Sequence, residues 1–247
     1  GSTVYVYDRA ACQGPACRGV QPIAMVDASE DGSFLVSGLP AGPEVMVKAP
    51  GYSLFFPGRL EAGDCGAPYC LPAALEPFEA RGFYVPFHFL YDRKLIESRL
   101  DLIEQSPSLN AVVVDMKSDY GKLAWEPQNE VARAIGVHEP DAMSAQEFLA
   151  EAKRRGIYTI ARFVTFKDDA LAEGKPEWAL RKKSEPDALW KDGEDLAWVD
   201  PYRQEVRQYE IDLAKELAAL GFDELQFDYF RFTGQRDHTQ FTYSVDS

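Results

Sequence analysis

The sequence predicts a two-part chain: an all-β sandwich module over residues 1–80, then an α/β domain with a parallel sheet over residues 81–247. Three observations predict it. Short alternating runs separated by Gly/Pro turns fill the first part. Apolar strand-like runs alternate with amphipathic helical segments in the second. Composition also breaks between them, since residues 1–80 hold 10 of the 18 Gly, 9 of the 16 Pro, all four Cys and only four basic residues.

In the first part TVYVY and PIAMVDA alternate, Asp31-Gly32 turns into SFLVSGL, and EVMVKA follows Pro40-Ala41-Gly42-Pro43. An Asp-Gly between alternating runs predicts a hairpin. Asp27, Ser29, Asp31 and Gly32 imitate the start of a calcium loop, but its twelfth position is Gly38 where a bidentate Glu is needed, so no metal is expected. The cysteines form two local sets, Cys12/Cys17 and Cys65/Cys70. Disulfides are favoured over zinc, because four residues separate each set, the flanks are Gly/Pro/Ala and no His is near. Connectivity stays open, and disulfides imply a periplasmic, secreted or cell-surface setting.

From Gly82 the rhythm changes. GFYVPFHFL (82–90) reads as a strand and DRKLIESRLDLIEQ (92–105) as a helix with apolar residues on one face. AVVVDM (111–116) is a β-branched run suited to a strand buried on both sides. SAQEFLAEAKRRG (144–156) opens with Ser144 and Glu147 at capping-box spacing and stops at Gly156. IYTIARFVTF (157–166) is the next strand. Asp200-Pro201 predicts the start of a long helix ended by Gly221, and FDELQFDYFRF (222–232) the fourth strand.

The connections over 117–143 and 167–200 far exceed the usual βα loop of about 2–6 residues. Loops at the carboxyl ends of strands build α/β active sites. Trp125, Trp178, Trp190 and Trp198 all fall in these two loops, either as loop cores or as flat faces for sugar rings. Glu224, Gln226 and Asp228 share one face of the fourth strand at period two. Asp115 and Lys117 are expected to share a face of the second strand, Arg162 sits in the third, and Lys167-Asp168 follow it. Asp115, Arg162 and Asp228 form either a structural ion network or a carboxylate site whose charge is set by Arg and Lys.

Other chemistries lack their motifs: there is no G-x-S-x-G, P-loop, G-x-G-x-x-G or H-E-x-x-H, and His88, His138 and His238 have no ligand spacing. No cofactor is expected. A formal charge of −14 disfavours nucleic acid and anionic membrane surfaces as partners, and no run nears the roughly 20 apolar residues of a membrane span. An acidic cleft would suit a cationic, deacetylated glycan.

Two resemblances follow from these residues. The pattern PIAMVDASEDGSFLVSGLPAGPEVMVKAPGY looks like a carboxypeptidase-regulatory or prealbumin-like module. The segments NAVVVDMKSDYGKLAW, GIYTIARFVTFKDDALAEGKPEWAL, ALWKDGEDLAWVDPY and VRQYEIDLAKELAALGFDELQFDYFRF resemble a bacterial glycoside hydrolase-type domain, catalogued as domain of unknown function 4015. That family resembles the (β/α)8 TIM-type barrels of α-amylase-like enzymes. Thr233 departs from it, standing where the family has Pro.

The resemblance implies an extracellular glycoside hydrolase acting on a polysaccharide, with Asp228 as nucleophile or base. It implies that Arg162, Lys167 and Asp168 line the sugar subsite and that Trp190, Trp198 and Asp200 shape the cleft. Lys117, Gln226, Tyr229 and Arg231 join them as substrate-binding candidates, and Glu224, Asp115 and Asp168 as candidates for the second carboxylate. The alternative is a non-catalytic carbohydrate-binding or surface-assembly protein. A (β/α)8 barrel takes about 250 residues, whereas 82–247 supplies 166. Only the first half of a barrel is therefore expected here, completed by a further segment or a second chain.

Overall fold

The computed structural model describes residues 1–247 except 13–16, 18–19, 58–59, 61–65, 67–68, 234–239 and 245–247. The chain divides into two compact units, Gly1–Ala80 and Arg81–Ser247.

The first unit is built on β1 (Thr3–Tyr7), β2 (Ala24–Asp27) and β3 (Glu44–Lys48). They form one antiparallel sheet in the order β2-β1-β3. Val4 and Val6 of β1 pack with Val45, Val47 and Leu60 beneath it. The second sheet that a sandwich requires is not among the described residues. Asp31-Gly32 does turn the chain: Gly32 adopts φ +82°, and Asp31 accepts from the Ser33 N–H and hydroxyl. The expected second arm, SFLVSGL, forms no strand, and Leu35 within it is exposed. Cys12 and Cys17 form a disulfide. Cys70 is also disulfide-bonded, while Cys65 and His238 lie outside the described residues.

The second unit runs β4 (Gly82–Val85), α1 (Arg93–Gln105), β5 (Ala111–Lys117), α2 (Glu130–Ile135), α3 (Ala145–Arg154), β6 (Tyr158–Val164), α4 (Asp169–Gly174), β7 (Arg181–Lys182), α5 (Gln204–Leu220), β8 (Glu224–Asp228) and β9 (Phe241–Thr242). The sheet β4-β5-β6-β8 is parallel throughout, with strands adjacent in chain order. Right-handed crossovers between successive neighbours place the crossover helices α1, α3 and α5 on the same face. Ile96, Leu100 and Ile103 of α1, Phe148 and Leu149 of α3, and Val206, Leu213 and Leu217 of α5 bury against Val112, Val114, Ala161 and Phe163. This is the winding of part of a TIM-type barrel, with Tyr84, Asp115, Arg162, Gln226 and Asp228 on the other sheet face beside Val113, Ile160 and Val164.

Several boundaries differ from expectation for local reasons. Pro86 has no N–H to donate, so β4 ends at Val85 and a 3-10 turn follows over Phe87–Tyr91. Helix α5 begins at Gln204 rather than at Pro201, because Asp200 Oδ1 closes a tight turn on the Tyr202 N–H instead of capping the helix. Its end at Gly221, φ +102°, is as read. The capping box at Ser144 and Glu147 forms in both directions.

Candidate functional site

The register brings one row of side chains across the open face. Asp115 of β5 lies opposite Arg162 of β6, which lies opposite Gln226 of β8, and Asp228 lies opposite Val164 one pleat further on. Tyr84 of β4 is on the same face, opposite Val113. Arg162 is the centre of the row. Its Nη1 donates to Asp115 Oδ1 at 2.8 Å, and its Nε and Nη2 donate to Asp228 Oδ2 at 2.9 and 2.6 Å. Tyr84 Oη donates to Asp115 Oδ2 at 2.7 Å, and the Phe87 N–H adds a longer bond to the same oxygen.

Asp228 terminates β8, where the backbone turns sharply: Tyr229 is in the left-handed region at φ +51°. That conformation directs the Tyr229 N–H back onto Asp228 Oδ1 at 2.7 Å. A non-glycine residue held there stores strain of about 1–3 kcal/mol, a cost concentrated at functional sites. Partial burial pushes the Asp228 carboxyl up, but the Arg162 and Tyr229 donors outweigh it and hold the group below the usual carboxylate range. Asp228 is thus an ionised carboxylate at the carboxyl end of a strand, with its side chain 46% exposed.

Next to it lies a second cation. Lys167 Nζ pairs with Glu194, with Asp192 at 3.2 Å and with Asp119 at 3.7 Å, and lies 5.2 Å from the Tyr229 ring centre. Burial lowers its pKa, and Glu194 and Asp192 more than restore it. Arg231 lies over the same Tyr229 ring at 5.3 Å and over Trp198 at 5.6 Å.

Other predicted residues sit elsewhere. Lys117 does not share a face with Asp115. Asp115 pairs with Arg162 and Lys117 with Phe163, so Met116 is an extra residue, a β-bulge, and Lys117 turns to the helix side. There it is fully buried, with Nζ 2.7 Å from Val164 O, 3.3 Å from Glu210 Oε1 of α5 and 2.7 Å from Asp168 Oδ2. Asp168 caps α4 through the Leu171 N–H and is buried too. Asp200 is buried, accepting from Tyr202 N and Ser244 N. These three reach no cleft.

Trp125, Trp190 and Trp198 are likewise buried and Trp178 half-buried, so the long loops use them as core. Trp190 packs on Phe241, and Trp198 donates Nε1 to Asp192 at 2.9 Å. Gln226 and Glu224 are exposed on the open face. Asp119, Asp192 and Glu194 escaped sequence reasoning because their place depends on loop paths that no short motif encodes, and Tyr84 because its bond to Asp115 follows only from strand register.

Among the described residues no group of His, Cys, Asp and Glu could hold a metal ion. No helix among them is long and apolar enough to cross a membrane.

Residues 82–247 match the family model described as "Putative glycosyl hydrolase domain". Among solved structures, a hypothetical protein from Ruminiclostridium thermocellum is 31% identical, with a TM-score of 0.59 over 66% of this chain and 81% of that one. A noncanonic maltogenic α-amylase from Thermotoga neapolitana is 16% identical, with a TM-score of 0.43 over 61% of this chain and 39% of its own. A chitobiase from Flavobacterium johnsoniae is 15% identical, with a TM-score of 0.42 over 62% and 23%. Likenesses as slight as these last two assign no residue. No curated protein matches the chain. The family match spans the whole second unit and the 31% relative shares its fold, so the chain belongs to this glycosyl hydrolase domain family and is of glycosidase type.

Proposed function

We propose that the second unit hydrolyses glycosidic bonds of a polysaccharide outside the cytoplasm, with Asp228 as nucleophile or base. One observation carries the reading: an ionised, half-exposed carboxylate ends a strand of the parallel sheet with both oxygens oriented, Oδ2 by Arg162 and Oδ1 by the Tyr229 N–H. A carboxylate so held keeps its charge while facing a developing oxocarbenium ion. Family membership supports the reaction class, and the Cys12–Cys17 disulfide supports an oxidising compartment. The first unit is read as an accessory all-β module of the carboxypeptidase-regulatory type, supported by its antiparallel sheet and turn spacing.

Glycosidases use a second carboxyl about 5–9.5 Å from the first. Glu224 is four residues from Asp228 on one strand, roughly 13 Å away, and does not fit. Asp115 accepts from Arg162, Tyr84 and the Phe87 N–H, a set of donors that suits a carboxylate fixing Arg162 rather than a proton donor. Asp168 is buried, paired with Lys117 and capping α4, so it reaches no cleft. That none of the three suits the acid role favours the second reading, a glycan-binding protein without hydrolysis.

Release of reducing ends from a panel of cell-wall and exopolysaccharides separates the two. Release that Asp228→Asn abolishes is the expected result. Undiminished release by Asp228→Asn would remove Asp228 from the mechanism, and glycan binding without release by the native protein would favour the second reading.

A further inference from the structure

We propose that Lys167 and Arg231 form a subsite for a carboxylate-bearing sugar beside Asp228, and that Glu194 occupies it in the free protein. The proposal rests on the glycan-cleft reading above and names its substrate class. Lys167 is buried, yet its nearest carboxylate, Glu194, is 67% exposed. The other two partners differ from it. Asp192 is fixed by Trp198 Nε1 and by the Glu194 and Leu196 N–H groups, and Asp119 stands off at 3.7 Å. Glu194 is therefore the exchangeable anion: an exposed carboxylate gives up an ion pair at little cost, while Asp192 stays with the buried ammonium.

Arg231 supplies the second half. Its guanidinium carbon lies 5.3 Å from the Tyr229 ring centre and 5.6 Å from that of Trp198, and Nη1 donates to Phe232 O. Among the described residues it has no ion pair with a carboxylate, in a chain of net charge −14. A guanidinium beside two aromatic rings, with donors beyond the one spent on Phe232 O, matches a planar carboxylate. The two cations flank one ring, 5.2 and 5.3 Å from the Tyr229 centre, and Tyr229 directly follows Asp228. An acidic sugar with its carboxylate on this pair would lie next to the oriented Asp228 carboxylate. This departs from the expectation drawn from net charge alone: at the cleft, Arg231 is a cation without a carboxylate ion pair among the described residues.

The test is calorimetric binding to the Asp228→Asn protein, so that no turnover intervenes. The probes are hexagalacturonate and hexamannuronate, with maltohexaose and cellohexaose as neutral counterparts and the chitosan hexamer as the cationic one. At least one acidic hexamer is expected to bind tenfold or more tightly than every neutral one, with the preference shrinking in 0.5 M salt. Adding Glu194→Gln is expected to tighten acidic binding about threefold. Adding Arg231→Gln is expected to erase the preference, and Arg231→Lys to restore part of it. Neutral and acidic hexamers binding alike, or chitosan binding best, would overturn the subsite and leave the glycosidase reading intact. No binding by any hexamer would overturn both.

Discussion

Two ion networks lie on opposite faces of the same sheet, each with one cation between two carboxylates. On the open face Arg162 joins Asp115 and Asp228. On the helix face Lys117 joins Asp168 and Glu210. They differ in access to water. Arg162 and Asp228 are partly exposed, and Asp228 stays ionised with its carboxyl held low. The Lys117 network is buried, and desolvation, opposed by Lys117, leaves Glu210 pushed up to about 8. At neutral pH Glu210 is therefore mostly protonated, so the trio approaches a neutral Lys117–Asp168 pair with a carboxylic acid beside it. The same residue types make a charged, addressable group on one face and a neutralised structural knot on the other.

The largest effect that would break this contrast is on activity. Asp228→Asn keeps shape and removes charge, and is expected to lower turnover about 10²–10⁴-fold, the span of a lost general acid or base. Because the pair with Arg162 is half-exposed, its urea midpoint is expected to shift by less than about 1 kcal/mol equivalent. A large stability loss with activity intact would make the open-face network structural as well. On the other face Lys117→Met strands the buried Asp168 carboxylate beside the Glu210 acid, and should cost about 3–5 kcal/mol in urea unfolding. A small loss would mean that Asp168 also protonates freely.

Gly121 tests the packing of that knot. It adopts φ +76°, and a Cβ there would stand 2.0 Å from Asp168 Oδ1. Gly121→Ala should therefore cost about 2–3 kcal/mol by strain and displacement of Asp168. Tolerance of Ala at this position would mean that Asp168 can leave Lys117 cheaply.

How much of this was legible follows from what each signal depends on. Strand β5, the capping box at Ser144, the Gly221 stop and the period-two face ending at Asp228 depend on neighbours in sequence, and they could be read there. The bulge at Met116 could not. One extra residue in β5 reverses Lys117, and nothing in AVVVDMK marks it, so Lys117 and Asp168 were placed in the cleft when they lie behind it. Of the two readings of the tryptophans, the structure takes the loop core over the sugar platform: long loops need their own cores, and Trp190 and Trp198 are spent on them. Arg162 was legible as a charged residue among apolar neighbours, although its two partners came only from register.

The smallest effect separates the networks by the sign of their pH dependence. Glu210 has a raised folded-state pKa, so the native state holds a proton that the unfolded chain releases above its ordinary value near 4.5. Its stabilising contribution is complete below that value and is lost as pH rises toward about 8, at no more than about 1.4 kcal/mol per pH unit. Asp228 is shifted the other way, and its contribution is lost only as pH falls below the ordinary Asp value near 3.8. Urea unfolding between pH 5 and 8 thus falls in the window of Glu210 and outside that of Asp228. Native protein should lose stability across it, Asp228→Asn should lose it in parallel, and Glu210→Gln, which offers Lys117 a neutral carbonyl at every pH, should show a flatter slope. The difference between native and Glu210→Gln cancels the histidines, which titrate in both. Equal slopes would mean that Glu210 is ionised beside Asp168 throughout, and the two faces of the sheet would then hold the same charge state despite their difference in burial.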